Sequence, residues 1–303
     1  MTEPCAVWTV GHLTLDDVVR PDGSTQMGTI GGAALYSALG ARLAGARPGL
    51  ASRRGAGYPD AAVAEMTAMG VRTEFVVTED EPIHQWVLYE SDGSRRYLHH
   101  PRSGTLEWLS PMPAEHRLPG AEYVHVAPLP IRAQRAWAGA LAVRDLRCTL
   151  DPHADDCATD TDKVLDLVPR VHAFLPSELE ARALVGADPV AAVRRFRALG
   201  APIALVKLGA RGCVLGYGAE LWHVPPAKVT AVDETGAGDT FCGAFAAALA
   251  AGRDPLDAAR WGCAAASFVI EAPGTALPPS AFEPAAVQER LASIHPAKLD
   301  ETH

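Results

Sequence analysis

Short apolar, β-rich runs alternate with longer Ala-rich stretches along most of the chain, a pattern that predicts a parallel sheet covered by helices on both faces. The strand-type runs are AVWTVG (6–11), EYVHVA (122–127), LRCTLD (146–151), HAFL (172–175) and IALVKLG (203–209). Helices are predicted over 31–43, 60–69, 133–144, 177–185, 189–199, 239–251 and 255–270. Their ends carry suitable residues: Asp254 caps ahead of Pro255, with Asp257 in the first turn, and Gly252 closes the preceding helix.

One region breaks the alternation. HQWVLYE (84–90) and RRYLHH (95–100) flank Ser91-Asp92-Gly93-Ser94, which favours an antiparallel hairpin foreign to a βαβ wind. With LDDVVRPDGSTQMGT (15–29) and its turn at Pro21-Asp22-Gly23, it is expected to form a small β lid. A second hairpin, CVLGY and LWHVP around Gly218-Ala219, is expected at the sheet edge. The sequence shows no internal repeat, low-complexity tract or interdomain linker. The expectation is a single three-layer α/β/α domain over 1–295 with a mostly parallel central sheet, a lid from 13–30 and 82–103, and a tail at 296–303.

A chain of 303 residues with 48% apolar residues supplies a large core. Its formal charge of −9, with Lys and Arg scattered in ones and twos, argues against a nucleic-acid groove or an anionic membrane as partner and leaves a small molecule. Six cysteines (Cys5, Cys148, Cys157, Cys213, Cys242 and Cys263) fall singly and read as reduced, buried thiols. The N-terminus lacks the sections of a signal peptide, and the Ala-rich stretch 241–252 is too short to span a bilayer, so a cytoplasmic location is expected. His84, His99 and His100 fall in the lid and read as surface residues, with no metal cluster among them. Arg95, Arg96 and Arg102 read either as charge closing over a phosphate or as a solvated hairpin edge.

The chemistry concentrates in DETGAGD (233–239), where Gly236-Ala237-Gly238 opens a helix that begins with Asp239 and Thr240. Glycines let the chain bend there, so that several N–H groups and the positive helix end converge on a phosphate. Asp239 stands at the rim, placed to accept a proton from an attacking hydroxyl. The local residues leave a second reading open, in which Asp239 only caps the helix and the glycines make a tight turn. A Rossmann loop is disfavoured because Phe241 stands where the third glycine belongs, and no Gly-Lys-Ser/Thr marks a Walker A loop.

AVDETGAGDTFCGAFAAAL (231–249) resembles the second signature of the ribokinase-like, or PfkB, carbohydrate kinases. Further landmarks follow in that family's order: VWTVGHLTLDD, GGAALYSALGARLAG, YVHVAPL, TLDPHAD, LPSELEARALVG and LVKLGARGC. The resemblance implies a ribokinase-like fold and an enzyme using ATP and Mg2+, with Asp239 as catalytic base and Gly236, Ala237 and Gly238 as anion hole. It places Asp16, Gly31 and Gly32 at the acceptor, where the glycines leave room for a sugar ring. Glu180, in a motif where Ser177 replaces asparagine, would hold the metal through water, although Ser177 and Glu180 also read as a capping box. Lys207, Gly209, Gly212 and Gly274 would contact the nucleotide, and Asp233 matches a position that helps bind K+. Tyr36 replaces an asparagine of many sugar-specific members, which disfavours ribose and suits a cyclic polyol, a nucleoside or a hexose. Lids of this kind pair across dimers, so a homodimer is expected. The rival classes are a non-catalytic ligand sensor on the same fold, against which intact GAG and Asp239 count, and an NAD-linked oxidoreductase, for which GHLTLD supplies no glycine loop.

Overall fold

A computed structural model describes residues 5–90, 95–272, 274–275 and 277–299. The strands are β1 (Val7–Val10), β2 (Thr14–Val19), β3 (Thr25–Gly31), β4 (Gly49–Gly55), β5 (Arg72–Thr78), β6 (Ile83–Tyr89), β7 (Arg95–His99), β8 (Tyr123–Val126), β9 (Arg147–Leu150), β10 (Ala173–Phe174), β11 (Ile203–Lys207), β12 (Cys213–Tyr217), β13 (Glu220–Val224) and β14 (Ala297–Lys298). The helices are α1 (Ala33–Leu43), α2 (Asp60–Ala68), α3 (Ile131–Val143), α4 (Ala154–Thr159), α5 (Thr161–Leu165), α6 (Glu178–Val185), α7 (Pro189–Ala198), α8 (Ala237–Ala250), α9 (Pro255–Val269) and α10 (Pro284–Ala292).

Ten strands form one sheet in the order β14-β13-β12-β11-β10-β9-β8-β1-β4-β5. Neighbours from β11 to β5 run parallel, and β12, β13 and β14 add an antiparallel edge. Apolar side chains of α1, α8, α9 and α10 fill one face of the sheet. Those of α3 to α7 fill the other, which makes the expected three layers. β4 and β5 are an addition to the strands read from sequence. GLASRRG mixes small residues with two arginines and shows no apolar alternation, yet it pairs with both β1 and β5. The predicted tail is also corrected in part, because β14 pairs with β13 through Trp222 and Lys298.

The segments expected to form a lid make a second, four-stranded sheet in the order β3-β2-β6-β7. Its turn at 91–94 lies outside the described residues, while the flanking β6 and β7 pair antiparallel from Gln85 with His99 to Tyr89 with Arg95. β2 runs parallel to β6 and sets Asp16 beside Gln85.

Helices α1 and α8 cross so closely that two glycines are obligatory. A Cβ on Gly40 would lie 1.9 Å from the Thr240 carbonyl oxygen, and one on Gly243 would lie 1.8 Å from that of Ser37. Neither backbone can yield without separating the helices. Gly243→Val is therefore expected to destabilise the protein by roughly 3 kcal/mol or more, read as a fall in thermal midpoint on the order of 5 °C or more. An unchanged midpoint would contradict the crossing. The Thr240 hydroxyl, donating to the Tyr36 carbonyl at 3.3 Å, fixes the rotation of one helix against the other.

Candidate active site

The α1–α8 crossing brings together the two stretches singled out in the sequence. Gly236 is the N-cap of α8, with φ of 73°, in the left-handed region. Its missing side chain makes room for the Tyr36 ring, since a Cβ there would come within 2.2 Å of that ring. Asp239 is the third residue of the helix, so the capping role that the sequence left open for it belongs to Gly236. Its carboxylate is half-buried and close enough to raise the Tyr36 phenol and the Cys242 thiol.

Asp16 on β2 is 6% exposed and accepts a hydrogen bond from the Gln85 amide at 3.0 Å. A Cβ on Gly31 would lie 2.4 Å from its Oδ2, and one on Gly32, where φ is 104°, would lie 2.4 Å from the His12 carbonyl oxygen. The glycine pair therefore seats Asp16 and the chain crossing beneath it. The same geometry explains why α1 starts at Ala33: Gly31 completes β3 and Gly32 turns the chain.

Tyr36 is 3% exposed, and burial together with the charges of Asp16, Asp233 and Asp239 pushes its hydroxyl well above the ordinary phenol range. It stays a neutral O–H group within the field of both carboxylates. His12 is also buried, and burial lowers it to about 4, so it is a neutral ring bridging the Leu106 carbonyl and the Ser110 hydroxyl.

Burial raises the Asp16 carboxyl, against the lowering influence of Gln85, Thr14 and His84. The native state thus holds this proton more tightly than the unfolded chain, and this residue's contribution to stability improves as pH falls. Asp16→Asn, which imitates the protonated group, is expected to leave the thermal midpoint unchanged or raised. It should lower kcat/KM for the acceptor by about 10²-fold, because the carboxylate is a stronger acceptor for hydroxyls. In the wild type, kcat/KM should fall on the acid side at a higher pH than an ordinary Asp would dictate. Wild-type kcat/KM in the variant would refute the assignment.

Lys207 closes β11 beneath the glycine turn, its Nζ 3.6 Å from where a Cβ of Gly238 would stand. It forms an ion pair with Asp151, whose side chain is 4% exposed, and lies 3.5 Å from Cys242 Sγ. Burial would lower the ammonium, but Asp151, Cys242 and Glu180 together hold it above its ordinary range, so it remains charged. Glu180 and Ser177 form the capping box: Glu180 Oε2 accepts from the Ser177 N–H at 2.6 Å and Ser177 Oγ from the Glu180 N–H at 3.3 Å. The oxygen donors of Glu180 and Asp151 around this corner suit a hard divalent cation that retains water. Gly209 has φ of 57° with nothing where a side chain would be, leaving its backbone open to a ligand. Gly212, in contrast, is required by the Val224 carbonyl, 2.0 Å from a Cβ there.

Asp233 is satisfied by donors. The Tyr89 hydroxyl and the Thr235 N–H (2.8 Å) donate to Oδ1, the Gly274 N–H (3.3 Å) donates to Oδ2, and the Arg20 guanidinium lies 4.0 Å away. Burial would raise this carboxyl, and the donors outweigh it and hold it below the usual range. Such a set does not fit a potassium ligand, whose cage is built from oxygens. Gly274 accordingly serves Asp233 and packs under Thr29 of the lid.

Gln85, Tyr89 and Asp151 were not foreseen as site residues. Gln85 and Tyr89 share a face of β6 by the period of two, a signal that becomes readable only once β6 is known to lie parallel to β2. Tyr89 ties the lid to the segment that begins the anion turn. Among the described residues, no helix is long and apolar enough to cross a membrane.

Residues 9–281 match the pfkB family of carbohydrate kinases. A cytidine kinase of Thermococcus kodakarensis is 27% identical over 267 residues, covering 86% of this chain and 95% of that protein. Among solved structures, a probable sugar kinase from Rhizobium etli superposes with a TM-score of 0.82 at 21% identity, over 96% of this chain and 100% of that one. The adenosine kinase of Sinorhizobium meliloti does so with a TM-score of 0.80 at 20% identity, over 95% and 100% respectively. At these identities the two structures bear on the fold alone.

Proposed function

Because this chain belongs to the pfkB family of carbohydrate kinases and is therefore an ATP-dependent kinase, we propose that it phosphorylates a hydroxyl on a sugar ring held between Asp16 and Asp239. The observation that carries this reading is the packing of the Tyr36 ring against Gly236 of the glycine turn, where the charges of both Asp16 and Asp239 act on its buried, neutral hydroxyl.

ATP with Mg2+ supplies the transferable phosphoryl group. Asp16, oriented by Gln85, accepts hydrogen bonds from ring hydroxyls and fixes the acceptor. Asp239 takes the proton of the attacking hydroxyl as the new O–P bond forms. The amides of Gly236 and Gly238, at the positive end of α8, meet the charge on the transferring group, while that of Ala237 donates to the Glu234 carbonyl at 3.3 Å and closes the turn. Lys207 adds a fixed positive charge from below. Glu180 would hold Mg2+ through water, and Gly209 would offer open backbone to the phosphates. The lid, tied down through Tyr89, excludes water that would otherwise act as acceptor. Met27, Tyr97 and Leu98, which the lid leaves exposed, support its pairing in a homodimer.

A nucleoside is the acceptor favoured by one specific finding: the cytidine kinase resembles this chain over nearly its whole length. Tyr36, in place of a small amide, is consistent with that choice. The test is acceptor-dependent ADP release with Mg·ATP across cytidine, adenosine, uridine, ribose, hexoses and inositols. Turnover on nucleosides at least tenfold above the free sugars is expected; turnover on a hexose or inositol alone would overturn the nucleoside assignment, and none anywhere would overturn the kinase reading.

A further inference from the structure

The lid holds a second cluster of chemically competent side chains, on the face opposite Asp16. Asp17, 3% exposed, projects from β2 away from its neighbour. Its Oδ1 is fixed by the Gly28 N–H at 2.7 Å. Its Oδ2 lies 3.0 Å from His84 Nε2 on β6 and 3.0 Å from His100 Nε2 just after β7. The three ligand-type atoms lie within 4.8 Å of one another, the separation over which one metal ion gathers its donors. The sequence reading assigned these histidines to the surface with no cluster, because residues 17, 84 and 100 meet only through the pairing of β2 with β6 and of β6 with β7.

Hydrogen bonding alone does not account for the arrangement. His84 and Asp17 form a bond, whereas His100 Nε2 is buried and has no hydrogen-bond partner. The two imidazoles stack at 3.9 Å with an interplanar angle of 11°, backed by Trp86 on His100, so both Nε2 atoms crowd the same carboxylate oxygen. The lone pairs of two nearly parallel rings do not converge, so one imidazole swings out of the stack when both face a common ion. A cavity of about 380 Å³, lined by Glu81, Pro82, His84, His100, Arg102 and Ser103, opens onto the cluster and admits water as a fourth ligand.

We propose that Asp17, His84 and His100 form a binding site for a zinc-class divalent ion, separate from the site of phosphoryl transfer. Two imidazoles and one carboxylate suit zinc or its first-row neighbours and not magnesium, which prefers an all-oxygen shell. The Gly28 amide supplies the outer contact that orients the ligating carboxylate. The ion would pin β2, β6 and the end of β7 together and so stiffen the strand that carries Asp16.

The experiment uses the full chain, free of any affinity tag, stripped with EDTA and titrated with Zn2+ under calorimetry, with bound metal counted by mass spectrometry. One equivalent with Kd at or below about 1 µM is expected. A rise of about 5 °C in thermal midpoint should accompany a hundredfold excess over Kd. His84→Gln and His100→Gln should each weaken binding by about 10²-fold. The thermal midpoints of both variants in EDTA verify that they fold; if one does not, the other carries the comparison. Less than a tenth of an equivalent bound at about 100 µM Zn2+, or an unchanged affinity in a folded variant, would overturn the site. Because binding is read directly, the outcome is independent of the kinase assignment.

Discussion

Asp239→Asn is expected to lower kcat by about 10²-fold or more while changing the Kd for ATP by less than about threefold, as the loss of a proton acceptor dictates. The substitution discriminates well because asparagine keeps the size and the hydrogen-bonding reach of the side chain. A purely structural Asp239, sitting in the first turn of α8, would lose only about 0.3–1 kcal/mol of helix-dipole stabilisation, with turnover intact. Rapid-quench measurement of the transfer step, alongside nucleotide binding by fluorescence, separates the two. Wild-type turnover would remove Asp239 from the chemistry.

Lys207→Met should produce the second large effect, first in stability. Asp151 is buried beside the ammonium, and burial already pushes its carboxyl up to about 8, so without the lysine it either takes up a proton in the core or stands there unpaired. Broken buried pairs typically cost about 3–5 kcal/mol, so the thermal midpoint should fall by roughly 10 °C. In the double variant Asp151→Leu with Lys207→Met the unpaired charge is gone, and most of that loss should be recovered. Activity is the decisive readout. If the lysine, with Nζ close beneath Gly238, acts on a phosphate as proposed, the stabilised double variant should remain at least tenfold slower than wild type. Turnover that returns together with stability would make the pair a fixture of the core only.

The halves of the molecule were unequally legible in the sequence. β1, β8, β9 and β11 and the long helices stood out through strong periodicity, helped by end signals such as Asp254 before Pro255 or Gly252 after α8. β4 was hidden because its burial comes from neighbours on both sides and not from its own residue types. In the candidate site, DETGAGD and Asp16 were visible as motifs. Asp151, Gln85 and Tyr89 owe their places to strand register across long separations, which no local pattern encodes. The surroundings of Gly31 and Gly32 were hidden for the same reason: what occupies the space beside a glycine is a fact of tertiary structure, here the Asp16 carboxylate and the His12 carbonyl.

The crossing of α1 with α8 also has a temporal consequence. Tyr36 and Thr240, joined by a hydrogen bond, are 204 positions apart in the chain. The cradle for the acceptor emerges early in synthesis and waits for the partner that completes it until about four-fifths of the polypeptide has left the ribosome. Contacts of such long range form late and slowly, because a large loop must close before they return any stabilisation. A nascent chain halted before α8 would thus display the α1 surface, with its Gly40 notch, uncovered to chaperones and to other unfinished chains, and would have no competence for either ligand. Catalytic readiness and release from that aggregation-prone interval arrive in the same folding event.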